Sequence, residues 1–362
     1  MVPRFPDIDL IAWTIQTTGS RRTFFRGLGG TIVVACAAGT GRRGGAAQSA
    51  TPIAPSAAGA TPVANAVARI AVGGFEVIAV SDGSLTIPSP ALPFTPAEFV
   101  FVDAPPDELA AALREAGLEA WIEDPASATY TAAITPLVVD TGQHLVLDTG
   151  LGTGMGLPGV GQLLANLRAA GIDPAAIDTV VVSHAHVDHI MGTLGPAGLA
   201  FPNARHVMGQ TEHAFWTDEA RLAEVFPDPA QRDGVLGPVR AAFPVIESKL
   251  ELIDDAAEAE IVPGLRAVSA YGHTPGHMAV LIGDGDDRLL AAFDALTDPL
   301  HLQYPEWNGA FDTLRDETDA TRRVLLARAA DEGLRLAAYH FPFPGVGTVT
   351  TEGDAWRFTA QG

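Results

Sequence analysis

Residues 179–192, TVVVSHAHVDHIMG, put three histidines and an aspartate into six positions directly after an unbroken apolar run. Such a run is the mark of a short strand covered on both faces. Imidazole and carboxylate are costly to bury unpaired, and the chain has only ten histidines to distribute. His184, His186, Asp188 and His189 therefore form either a solvated loop or a set of ligands around a cation. The loop leaving the carboxyl end of a buried strand is where α/β folds place their chemistry. In an extended segment alternate side chains share a face, so His184 and His186 can reach one ion. Asp188 and His189 lie a turn further on and point to a second. Neither pair closes a coordination sphere, so the pattern predicts further ligands elsewhere.

Three later segments supply them. AYGHTPGHMAV (270–280) carries His273 on a Thr-Pro-Gly turn, LLAAFDAL (289–296) brings out Asp294, and LAAYHFPFPG (336–345) brings out His340. Any one of these alone reads as a hydrogen-bonded core residue. Three of them, each at the end of a predicted strand, read as the missing ligands.

The rest of the folded region alternates strands and helices. A β-branched hairpin is expected at 68–83, a helix at 108–118 and two strands within 131–150. A helix at 158–172 is followed by the strand 179–184 and a helix at 231–244. Strands near 265–269, 278–282 and 289–293, a helix at 314–332 and a strand at 335–339 complete the reading, with no internal repeat. Two β-rich halves with helices outside imply an α/β fold of the four-layer αββα sandwich type, with strand-end loops meeting along one edge.

Charge narrows the partners. The net charge is −21, and residues 1–50 carry six arginines against Asp7 and Asp9, so the remainder is more acidic still. An acidic body repels phosphate backbones, which excludes nucleic acid as an expected partner. The single cysteine, Cys36, excludes an internal disulfide and a cysteine-rich zinc site. The front of the chain reads as an address. Arg21 and Arg22 precede two phenylalanines and a short apolar stretch, the order of a twin-arginine export signal over residues 1–39. The apolar part is too short to span a bilayer. A helix with a chance arginine pair is the plainer reading. VVAC, ending at Cys36, also matches a lipoprotein box, which would give a lipid anchor. Residues 40–67, mostly Ala, Gly, Ser, Thr and Pro, read as a flexible linker, and 68–362 as the folded domain. Export to the periplasm is the expectation.

With these motifs in place, the chain resembles the metallo-β-lactamase superfamily, and within it the methyl parathion hydrolase and lactonase subgroup. The resemblance rests on VLDTG (146–150), SHAHVDHIMG (183–192), GHTPGH (272–277), FDAL (293–296) and HFPFPGVGTV (340–349), with AFPNARHVM (200–208) and HAFW (213–216) closer to the subgroup. It implies that His184, His186 and His273 hold one metal ion, that Asp188, His189 and His340 hold another, and that Asp294 bridges the two. It also implies that Asp148 and His277 support ligands without touching metal. His144, His206 and His213 read as ordinary surface or core residues.

Two divalent ions sharing a carboxylate can hold a bridging hydroxide that attacks an ester, lactone or phosphotriester, with Asp188 or Asp294 passing a proton to the leaving oxygen. Zinc suits the donor set, and iron, manganese and cobalt suit it as well. A mononuclear iron dioxygenase of the same fold and a non-catalytic exported metal-binding protein are the alternatives. Phe215, Trp216, Tyr304 and Trp307 are expected at the pocket mouth, facing a small uncharged ester-like substrate. Arg322, Arg323 and Arg328 read as one solvated helix face, and homodimerisation is left open.

The export reading has a direct test. Replacing Arg21 and Arg22 by lysines should hold the protein in the cytoplasm, because the translocation receptor reads paired guanidinium groups and not charge alone. Periplasmic recovery of the double variant after fractionation would overturn it.

Overall fold

The computed structural model describes residues 66–92, 94–196 and 198–361. The signal segment, Cys36 and the linker up to residue 65 lie outside the described residues. The fold opens with a hairpin, β1 (Val67–Val72) and β2 (Phe75–Val80), one residue ahead of the expected boundary. A separate ribbon of β3 (Gly83–Pro88) and β4 (Thr129–Ile134) follows. Between its strands the chain inserts α1 (Pro96–Val100), α2 (Pro106–Glu115) and α3 (Ala120–Glu123). The insert is a cap. Its Phe99, Phe101, Leu113 and Trp121 share a buried cluster with Tyr130, Trp307 and Phe311.

The chain returns through β5 (Leu137–Asp140), β6 (His144–Leu147), α4 (Leu163–Ala169), β7 (Thr179–Val182) and the short helix α5 (Val187–Ile190). A two-residue pair, β8 (Leu194–Gly195) and β9 (Gly198–Leu199), leads to β10 (Arg205–Gly209). Helices α6 (Gln210–Thr217), α7 (Glu219–Val225) and α8 (Pro229–Ile246) then precede β11 (Leu250–Ile253). Together these strands form a seven-stranded mixed sheet in the order β1-β2-β5-β6-β7-β10-β11, parallel from β6 onward. The helix expected at 158–172 is shorter than its sequence pattern, because residues 158–162 are spent in a glycine-bearing loop.

The second half contributes β12 (Ala259–Val262), β13 (Leu265–Ser269), β14 (Met278–Ile282), β15 (Leu289–Ala291), α9 (Arg315–Asp331), β16 (Arg335–Ala337), β17 (Val346–Glu352) and β18 (Ala355–Ala360). These strands build a second seven-stranded sheet in sequence order, with β15 and β16 its one parallel pair.

Strand alternation shows how the layers stack. Val280 and Ile282 of β14, with Leu289 and Ala291 of β15, face the first sheet and pack with Val139, Leu147 and Val181. The intervening Ala279, Leu281 and Leu290 point the other way, onto Leu325, Leu326 and Ala329 of α9. Period-two strands buried on both faces thus separate an inter-sheet core from an outer helix layer. This is the αββα sandwich.

Helix α9 buries Thr318, Arg322, Leu325, Leu326 and Ala329, a stripe at helical spacing. Arg323 and Arg328 reach solvent and pair with acidic neighbours, but Arg322 is fully buried, which corrects the solvated reading of that residue. Val324 lies on the opposite side, 65% exposed. Leu326→Ala should therefore destabilise the domain by about 2–5 kcal/mol. Val324→Ala should change it by under about 0.5 kcal/mol. Urea unfolding of both variants checks the orientation of the helix, and equal effects would contradict it.

Candidate metal centre

The parallel strands set the position of the site. Asp148 follows β6, His184 follows β7, Asp294 follows β15 and His340 follows β16, so four carboxyl-terminal strand ends deliver functional side chains to one edge. His186 caps α5, whose first turn carries Asp188 and His189. His273 comes from the loop joining β13 to β14, and Asp294 sits on a tight turn at Phe293–Ala295. All seven expected ligands are buried. They gather into two groups, His184, His186, His273 and Asp294 in one and Asp188, His189 and His340 in the other.

Asp294 reaches both groups. Its Oδ2 lies 3.3 Å from His273 Nε2 and 3.2 Å from His340 Nε2, and its Oδ1 lies 3.2 Å from His189 Nε2. Asp188 Oδ2 is 3.4 Å from His340 Nε2.

The outer nitrogens of these imidazoles decide what the inner ones can do. His189 Nδ1 lies 2.7 Å from Asp148, His273 Nδ1 lies 2.9 Å from Asp312, and His340 Nδ1 lies 2.9 Å from the Ala133 carbonyl. Each of these partners can only accept, so each Nδ1 carries the proton. Ser183 donates its hydroxyl to Asp148 at 2.7 Å and hence accepts from His184 Nδ1 at 3.0 Å. The Nε2 lone pairs of His184, His189, His273 and His340 consequently turn inward. There, His184 Nε2 and His273 Nε2 face His186 Nδ1 at 2.9 and 2.8 Å. His189 Nε2 and Asp294 Oδ1, though 3.2 Å apart, are both buried and neither makes a hydrogen bond of good geometry among the described residues. Converging lone pairs and orphaned acceptors are unfavourable on their own and are relieved by cations. The residues fit two metal ions.

Burial, followed by the neighbouring imidazoles, holds His184 and His186 well below the usual histidine range, so both are neutral donors. Burial also disfavours charge on His189, but Asp294, Asp188 and Asp148 outweigh it and push its pKa well up. Asp294, despite burial, is held well below the carboxylate range by His189, His340 and His273. Protons and carboxylates thus balance one another in the metal-free cluster.

Supporting residues surround the ligands. His277 donates Nδ1–H to the Ala270 carbonyl at 3.0 Å, and its Nε2 accepts the backbone N–H of Asp294 at 3.2 Å. It positions the shared carboxylate without joining the cluster. Asp148 holds His189 and the Ser183 hydroxyl from a left-handed backbone, φ 57°.

Four further supports carry no local sequence signal. Glu212, fully buried, accepts Ala185 N–H and Trp216 Nε1–H on one oxygen and the Thr274 hydroxyl and Gly276 N–H on the other. It clamps the two ligand loops together. Gly276 is needed there, since a Cβ would come within 2.0 Å of the Glu212 nitrogen. Asp312 orients His273 and is itself held by Arg322, whose guanidinium also donates to the carbonyls of Ala295, Pro305 and Trp307. Tyr339 stacks on His189 and donates to the Asp188 carbonyl at 2.7 Å.

A cavity of about 250 Å³ opens onto the cluster. His186, Asp188, His273, Asp294 and His340 line one part, and Leu85, Ile87, Leu92, Phe99, Tyr130, Leu157 and Phe311 line much of the rest. The four aromatics expected there do not line it. Phe215 and Trp216 are buried in α6, where the Trp216 indole is committed to Glu212. Tyr304 and Trp307 stack face to face with centroids 3.8 Å apart, beneath the cap. Phe99, Tyr130 and Phe311 form the aromatic wall instead. His144, His206 and His213 stay outside the cluster, at the surface beside Asp140, within β10 and against Phe243.

The sequence pattern of the metallo-beta-lactamase superfamily matches residues 136–340, and the chain belongs to that superfamily. It is similar to the N-acyl homoserine lactonase AttM of Azorhizobium caulinodans, 31% identical over 121 residues, which are 33% of this chain and 41% of that one. It is also similar to the AttM of Rhizobium radiobacter, 29% identical over 134 residues, 36% of this chain and 45% of that one. The chain thus spans less than half the length of the curated relatives it matches. In fold it is similar to AidC, a dizinc quorum-quenching lactonase solved with a product, with a TM-score of 0.71 and 24% identity over 82% of this chain and 97% of the other. The hydrolase AbOPH gives a TM-score of 0.68 and 21% identity over 83% and 99% of the two chains.

Asp294 is the residue on which the two groups depend. Asp294→Asn keeps the shape but removes the charge that offsets two neighbouring dications, and it should lose at least one ion. Elemental analysis after zinc loading checks this, and full retention of metal would remove the bridging role.

Proposed function

We propose that this chain is a metal-dependent hydrolase that opens lactones and related uncharged esters, with two divalent ions as its cofactor. One observation carries the reading: a cluster of seven ligand-type side chains puts five of them, His186, Asp188, His273, Asp294 and His340, on the floor of a largely apolar cavity. His184, His186 and His273 would hold one ion, Asp188, His189 and His340 the other, and Asp294 would serve both. Zinc is the first choice for this donor set, with iron, manganese and cobalt the competitors. Bound ions of this kind make water nucleophilic at neutral pH and polarise a C=O or P=O bond.

The chain's own residues supply the rest. Asp188 lines the cavity and can pass a proton to the departing oxygen. His277 and Arg322 fix the backbone on either side of Asp294, through its own N–H and the carbonyl of Ala295. Leu85, Ile87, Phe99 and Phe311 exclude water and offer a surface for an acyl chain. No lysine or arginine lines the cavity among the described residues, so an anionic substrate finds no fixed countercharge. The curated relatives named as N-acyl homoserine lactonases support a lactone as the substrate class. Assembly of Asp188, His189 and His340 into a group of their own favours two ions over a mononuclear dioxygenase site.

Purified protein loaded with metal should contain close to two ions per chain and hydrolyse acyl lactones faster than aryl esters or phosphotriesters. Because imidazole ligands must be deprotonated to bind, and His189 and His340 have raised pKa values, metal occupancy should fall as pH is lowered. Titration of bound metal against pH and one substrate panel check both. A single ion unchanged by added metal, or turnover of phosphotriesters alone, would overturn the reading.

A further inference from the structure

Two of the clustered imidazoles are backed by buried carboxylates. His189 Nδ1 rests on Asp148 at 2.7 Å, and His273 Nδ1 rests on Asp312 at 2.9 Å. A carboxylate in that position fixes the ring and makes the imidazole a stronger donor to metal. The two carboxylates are held differently. Asp148 accepts further from the Ser183 N–H and hydroxyl, and no arginine or lysine pairs with it among the described residues. Its charge acts on the cluster undiminished. Asp312 accepts from Gly309 N–H at 2.8 Å and from the Arg322 guanidinium at 3.0 Å, both on the oxygen that His273 does not use. Asp312 and Arg322 are buried, so salt and solvent screen their charges little.

Arg322 is fixed where it stands. Its Nε donates to the Ala295 carbonyl at 2.7 Å, and its Nη1 donates to the carbonyls of Pro305 and Trp307 at 3.2 and 2.6 Å. A guanidinium keeps its proton in proteins. A full positive charge therefore stands behind His273, and none stands behind His189. The groups themselves add to the contrast. Asp188, His189 and His340 include a carboxylate of their own, whereas His184, His186 and His273 have only Asp294, which reaches both groups.

We propose that Arg322 is a positioning residue that holds His273 through Asp312 and, by offsetting the Asp312 charge, makes the ion bound by His184, His186 and His273 the more weakly held of the two. The inference rests on the two-ion hydrolase reading above. A fixed cation repels a nearby dication, and a carboxylate already paired draws less on the imidazole proton, so both effects act in one direction. An ion held by weaker donors keeps more positive charge with which to polarise a substrate oxygen.

Three variants separate charge from support. Arg322→Gln removes the charge and keeps a donor, Arg322→Lys keeps the charge, and Asp312→Asn removes the carboxylate charge. Competition with a chromophoric chelator gives the two stepwise zinc dissociation constants. The weaker step should tighten roughly tenfold in Arg322→Gln and stay within about threefold of the wild type in Arg322→Lys. It should weaken roughly 10–100-fold in Asp312→Asn. Each change disturbs a buried pair and lowers stability, and a purely structural role would weaken zinc binding in all three. Wild-type crystals grown with one equivalent of zinc give a second readout. Anomalous scattering should place that ion with Asp188, His189 and His340, and this placement decides if Arg322→Gln does not fold. Weaker zinc binding in Arg322→Gln, or a first ion placed with His184, His186 and His273, would overturn the proposal and leave the hydrolase reading intact. If the opposite shifts and the placement hold but the wild type opens no acyl lactone, the hydrolase reading fails and the role of Arg322 stands.

Discussion

The structure is organised around a local conflict. Five imidazoles and two carboxylates are buried within a few ångströms of one another, and the imidazole lone pairs are turned inward by acceptors behind them. Left alone, such a cluster is repulsive and poorly solvated. Cations turn that repulsion into coordination, and the free energy of binding them becomes free energy of folding. The outer hydrogen bonds therefore hold ligands in a geometry that the ligands would not choose for themselves.

That conflict explains the distribution of buried polarity elsewhere. Glu212, Asp312 and Arg322 are buried and fully engaged; Glu212 joins the loop of His184 and His186 to that of His273, and Asp312 with Arg322 together join His273 to the turn bearing Asp294. Replacing one by an apolar residue would strand its partners, so the polar shell is as constrained as the cluster. Beyond this shell both cores are aliphatic, and the strands that separate them are buried on both faces.

Much of this was legible in the sequence, for identifiable reasons. The clustered side chains reveal themselves because His, His, Asp and His follow a β-branched run at metal-binding spacing, and because Asp294 and His340 end apolar strands. The sandwich follows from two β-rich halves with helices outside them, since the core strands are too short and too uniformly apolar to show which face meets which layer. What was not legible depends on distance along the chain. Glu212 lies 27 residues from one partner and 62 from another, and no local pattern announces such a clamp. Arg322 sits on a helix with Arg323 and Arg328, and only Asp312 and the carbonyls of Ala295, Pro305 and Trp307, folded against it, distinguish the buried arginine from the solvated ones. The cavity wall was assigned to the wrong aromatics because Phe99, Tyr130 and Phe311 come from three separate segments, brought together by a cap inserted inside a hairpin.

The ribbon of β3 and β4 belongs to neither large sheet. Its residues Leu85, Ile87, Tyr130 and Ala132 shape the cavity, while its Ala133 carbonyl holds His340. The cavity wall and the support of His340 therefore share a length of backbone. A guest too broad for the cavity would press this ribbon outward and draw the carbonyl away from the imidazole, loosening the cluster beneath it. One peptide carbonyl thus joins the wall of the cavity to the cluster at its floor.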